Sequence, residues 1–74
     1  MQKVRLHCEL YSVSAIERSM AVFADVASVE LRQIMPYYEV EIRSEDSEAE
    51  QAVSGEFANH ALALTVEEKR AGES

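Results

Sequence analysis

The sequence predicts an α+β fold of order strand, helix, strand, strand, helix, and three observations carry it. Three segments alternate apolar and polar side chains with a period of two, at residues 3–11, 27–34 and 37–43. A long C-terminal segment, Ser47 to Arg70, repeats Val53, Phe57, His60 and Leu64 at four-, three- and four-residue steps, the spacing of one helix face. A second helical pattern, Ile16, Met20 and Phe23, separates the first alternating segment from the other two.

In the first segment Val4, Leu6, Cys8 and Leu10 face one way, and Arg5, His7, Glu9 and Tyr11 the other. A strand over 3–11 follows, with one buried face. The next helix is expected from about Ala15 to Ala24. Ser14 and Glu17 have the spacing of a capping box, and Ser12 is a rival cap. Residues 27–34 place Ala27, Val29 and Leu31 opposite Ser28, Glu30 and Arg32. Met35-Pro36 interrupts, because proline has no N–H for a ladder. Tyr38, Val40 and Ile42 then alternate with Tyr37, Glu39, Glu41 and Arg43, which predicts an antiparallel hairpin. Ser47 with Glu50 forms a second capping-box spacing. Acidic residues at its start and Lys69 and Arg70 at its end suit the dipole of the long helix. Gly55 in mid-helix costs roughly 1 kcal/mol against alanine, which predicts a close approach of another element there.

A strand–helix–strand unit crosses over right-handedly and can leave a gap between its strands. A third strand filling that gap gives a three-stranded mixed sheet of order 1-3-2, favoured over 1-2-3, with both helices on one face. This is a truncated ferredoxin-like plan, without the last strand. Residues 1–70 form one domain, and a disordered tail is expected over 71–74. The outer edge of the first strand is left unpaired, and such edges recruit other strands.

Composition excludes several classes. Fourteen acidic against seven basic residues give a net charge of −7, which argues against nucleic acid and anionic membranes as partners. No stretch reaches the roughly 20 apolar residues of a membrane span. The first residues alternate from the start, with no apolar core of a signal peptide. One cysteine, Cys8, cannot form an internal disulfide, and no Cys and His set has zinc-site spacing. These features point to a cytoplasmic location. They leave good packing or self-association to stabilise a short chain, which buries only about 60% of its unfolded surface.

No catalytic, metal or cofactor site is expected. His7 and Cys8 are adjacent and so face opposite ways on a strand. Cys8 reads as core, and His60 as a half-buried histidine with one hydrogen-bond partner. Glu39, Glu41, Glu30 and Glu9 share an open, solvated sheet face with Arg5, Arg32, Arg43 and His7, where cross-strand pairing explains them. The candidate partner-binding residues are Arg5, His7, Tyr11 and Tyr37 on that face, and Asn59 and His60 on the long helix.

Two stretches carry a family resemblance. Tyr11-Ser12-Val13-Ser14-Ala15-Ile16, with the apolar helix ending in Phe23, is similar to the N-terminal part of the His-Xaa-Ser system protein HxsD family. Glu56-Phe57-Ala58-Asn59, followed by Leu62, Val66 and Glu68, resembles that family's C-terminal signature. The resemblance spans roughly residues 4 to 70. It implies a small non-catalytic accessory protein that assists maturation of a ribosomally made peptide. Its expected partners are the precursor peptide or a radical-SAM-type maturation enzyme. The other expectation, from the residues themselves, is a structural or regulatory homodimer.

Overall fold

The computed structural model describes residues 1–72. Its elements are β1 (Gln2–His7), α1 (Val13–Phe23), β2 (Ser28–Ile34), β3 (Tyr37–Arg43) and α2 (Ser47–Gly72). The sheet order is β1-β3-β2, with both helices on one face. Both neighbouring pairs are antiparallel. The sheet is therefore wholly antiparallel and not mixed as expected: β1 and β2 point the same way, but β3 lies between them and no parallel ladder forms.

Alternation does what it promises on β3, where Val40 and Ile42 are fully buried. They join Leu6, Ile16, Val53, Phe57 and Ala61 in one core, with Val4, Val29, Leu31 and Tyr38 packed around it. Along α2 the buried line is Glu50, Val53, Phe57, Ala61 and Thr65. His60 and Leu64 stand half-buried beside that line. This is because α1 flanks α2: His60 meets Ser19 and the Phe23 ring of α1.

β1 stops four residues short of the expected end. The Cys8 N–H donates to the Pro36 carbonyl at 2.9 Å. Pro36 lies in the β2–β3 turn, so β3 offers nothing beyond it to pair with. The chain turns instead, and the Leu10 and Tyr11 N–H groups both donate to the His7 carbonyl. Leu10, expected in the core, is 60% exposed. Cys8 is half-buried rather than core. Tyr11, expected on the outer sheet face, packs against the core.

Neither helix start uses its expected capping box, and at α1 the rival cap is the one found. Ser12 caps α1, its Oγ accepting from the Ala15 N–H, and the helix runs from Val13 rather than Ala15. Ser14 is free to donate to Glu68. Before α2, the Asp46 carboxylate accepts from the Glu48 N–H and its carbonyl from the Glu50 N–H. Asp46 is therefore the cap. The Glu50 side chain serves the Ser44 N–H instead of closing a box with Ser47. α2 continues through Ala71 and Gly72, where a disordered tail was expected; residues 73–74 of that tail lie outside the described residues. Gly55 meets no close neighbour, since a Cβ there would have nothing within 4 Å. Met35-Pro36 is a cis peptide in a two-residue turn, with proline at the third turn position.

Candidate binding surfaces

β1 and β2 are the edges of the sheet, and the ladder settles which backbone groups they leave free. In an antiparallel pair, bonded and non-bonded positions alternate. The Cys8–Pro36 bond continues the β1–β3 register, Leu6↔Tyr38 and Val4↔Val40, in the bonded phase. Lys3 and Arg5 consequently direct their N–H and C=O groups to the open side of β1, as does the His7 N–H, while the His7 carbonyl is taken by the Leu10 and Tyr11 N–H groups of the turn. On β3 the odd residues then serve β2, in the register Glu41↔Glu30 and Glu39↔Arg32. The free backbone groups of β2 are those of Val29, Leu31 and Gln33.

Charges crowd the outer face. The Lys3 ammonium lies 3.8 Å from Glu41 and 4.0 Å from Glu39, and Arg5 Nε lies 3.8 Å from Glu39. Their long arms fold over the central strand. Glu39 and Glu41 are thereby buried to 7% and 5% exposure on a face expected to be fully solvated. The outer ends of Lys3 and Arg5 remain open, their side chains 51% and 70% exposed. On the other flank, Glu30 lies opposite Glu41 and Arg32 opposite Glu39. Among the described residues neither Glu30 nor Arg32 is in an ion pair.

At the hairpin end of this face, Arg5, Ile34, Met35, Pro36, Tyr37 and Glu39 line a shallow hollow of about 240 Å³. The Arg5 guanidinium carbon sits 5.9 Å from the Tyr37 ring centre, and His7 meets the same ring edge-on at 5.2 Å. His7 Nδ1 accepts from the Glu9 N–H. Arg5, His7 and Tyr37 thus form one cluster, without Tyr11, which was expected on the same face.

The other three candidates lie elsewhere. Tyr11 is in the core layer. Asn59 is exposed on α2. His60 has a structural partner, the Ser19 hydroxyl at 2.8 Å. These residues do not converge with the Arg5 cluster. Polar residues that periodicity did not single out tie the helices together. Glu68 accepts from Ser12 Oγ at 2.7 Å, Ser14 Oγ at 3.1 Å and Arg18 at 3.3 Å. The Ser12 hydrogen bond is the main cause of a carboxyl pKa held below its usual value, with Ser14 and Arg18 adding to it against the opposing effect of burial. Glu50 is lowered too, chiefly by its bond to the N-terminal ammonium and then by the Ser44 N–H. Both carboxylates hold the fold rather than face an open site. Their partners lie about 50 residues away or across a loop, a distance no local pattern reports.

A larger open groove of about 1,040 Å³ runs beside β2, between the end of α1 and the β3–α2 loop. Met20, Ala21, Ala24, Val26, Ala27 and Val29 provide its apolar wall. Among the described residues no helix is long and apolar enough to cross a membrane. Comparison of the chain with protein-family models, curated proteins and solved structures finds no match.

Proposed function

We propose that this chain is a non-catalytic binding module, similar in role to the HxsD-like proteins it resembles, that takes an extended peptide segment along the free edge of β1. The single observation behind this reading is the row of free backbone groups formed by the N–H and C=O of Lys3 and Arg5 and the N–H of His7, whose carbonyl the turn already uses. It lies at the place where a four-stranded plan of this topology would carry its last strand. An added strand gains main-chain hydrogen bonds there, and its outward side chains stand beside Lys3 and Arg5. Those two cations favour acidic or polar peptide residues at alternate positions. Tyr37, with Arg5 over its ring and His7 against it edge-on, offers an aromatic anchor at one end. The occupant would be a precursor peptide, or an extended segment of a radical-SAM-type maturation enzyme, in the cytoplasm.

Titration of the chain with a synthetic peptide bearing His-Xaa-Ser repeats tests the reading by amide chemical shifts. The expected result is a contiguous set of shifted amides over residues 2–7, largest at Lys3, Arg5 and His7. Saturable binding that leaves those amides unmoved defeats edge addition; no binding at all defeats the peptide reading.

A further inference from the structure

We infer that two copies of the chain pair through β2, antiparallel about a two-fold axis at Leu31, to make a continuous six-stranded sheet with all four helices on one face. The first argument is charge. Glu30 and Arg32 carry opposite charges two residues apart on the outer face, and neither has an ion-pair partner among the described residues. Within the chain their cross-strand neighbours are already engaged: Glu41 by Lys3, and Glu39 by Lys3 and Arg5. Glu30 even faces a like charge, Glu41. A two-fold at Leu31 sets Glu30 of each copy opposite Arg32 of the other, twice. Opposite charges facing each other across strands stabilise a pair, and like charges destabilise it.

The second argument is phase. The free backbone groups of β2 belong to Val29, Leu31 and Gln33. The same axis pairs Leu31 with Leu31 and Val29 with Gln33, so all the free groups find partners in one register. Glu30 and Arg32 then occupy the non-bonded positions, where side chains approach most closely.

The third argument is the groove. It runs along the start of β2 with an apolar wall that includes Met20, Ala24, Val26 and Val29, and Val26 is 58% exposed. In this register the hairpin tip of the second copy arrives beside Ala27. That tip carries Met35, which is 64% exposed, and Gln33, whose amide contacts the Met35 sulfur at 3.5 Å. A methionine is suited to fill an irregular apolar gap.

The β1 edge does not offer this match. Every in-phase antiparallel pairing of two β1 strands sets members of Lys3, Arg5 and His7 against one another. Self-association through β2 leaves both β1 edges free at the two ends of the sheet.

Sedimentation equilibrium tests the pairing. The wild-type chain is expected to be a dimer at concentrations on the order of 100 µM; a strict monomer there, or open-ended polymers, overturns the inference. Glu30→Arg sets arginine opposite Arg32 of the second copy and should weaken the dimer roughly tenfold or more. The same change places arginine opposite Glu41 within the chain, so the variant should stay folded, which circular dichroism checks. Adding Arg32→Glu to Glu30→Arg recreates both pairs with the signs exchanged and should restore the dimer. Unchanged association of Glu30→Arg, or a double variant as weak as the single one, overturns the inference. These residues lie across the sheet from β1, so either result is separable from the peptide titration.

Discussion

At the scale of single residues, polar side chains here are explained by what they hold. Glu68 gathers Ser12, Ser14 and Arg18 of α1 at a single carboxylate. Ser19 and His60 satisfy each other between the helices. Among the described residues no buried side-chain nitrogen or oxygen lacks a hydrogen-bond partner. Gly55 is different, because nothing near it needs the missing Cβ. Its cost is purely that of a glycine in a helix interior. Gly55→Ala is expected to stabilise the fold by roughly 1 kcal/mol, read from a urea midpoint that rises with an unchanged slope. A destabilised variant would show that the exposed side of α2 is covered in solution.

At the scale of elements, the junction of α1 with α2 rests on Ser12. Its hydroxyl accepts from the Ala15 N–H and donates to Glu68, while its own N–H donates to Thr65 Oγ1 at 3.1 Å. Losing an N-cap of this type costs about 1 kcal/mol. The Ser12→Ala change also strips Glu68 of its shortest hydrogen bond, so the loss should exceed that of a simple cap. Ser14→Ala, which removes only a longer bond at an exposed position, should cost less. Denaturant melts of the two variants rank them, and equal costs would place the cap at Ser14 after all. The strands show how far local pattern reaches. The alternation of Val4 with Leu6, and of Tyr38, Val40 and Ile42, was readable because one buried face demands it. The end of β1 was not readable. The same alternation continues to Tyr11, and only the turn of the neighbouring hairpin at Pro36 stops it.

At the scale of the whole molecule, two acidic groups couple the ends of the chain to its centre. Glu50 and Glu68 both have carboxyl pKa values lowered in the folded state. The unfolded chain therefore binds more protons in the acid range, and stability rises with pH there. The contribution is complete above the ordinary value of 4.5 and is lost as pH falls through the lowered folded values. Thermal melts from pH 6 downward should show a falling midpoint that begins near that ordinary value. Glu68→Gln should flatten the fall, because it removes one of the two titrating groups; an unaltered slope would assign the acid sensitivity elsewhere.

The sequence by itself determined the order of elements and the core-facing residues Val4, Leu6, Val29, Leu31, Tyr38, Val40 and Ile42 of the strands. Each follows from a period of two or 3.6 residues, which is a local property of the chain. Right-handed crossover also favoured the strand order that was found. Tertiary structure alone decided the rest. It chose Ser12 over Ser14 and Asp46 over Ser47 as caps: Ser12 Oγ accepts from the Ala15 N–H while donating to Glu68, and the Glu50 side chain serves the Ser44 N–H instead of closing a box with Ser47. It buried Glu39 and Glu41 under Lys3 and Arg5, because the central strand is covered from its neighbour's side chains. It drew Tyr11 against the core, because the chain turns at the level where β3 begins. It left Glu30 and Arg32 without ion pairs at the β2 edge, where Glu30 faces a like charge, Glu41, and Arg32 faces Glu39, which Lys3 and Arg5 approach from the other side.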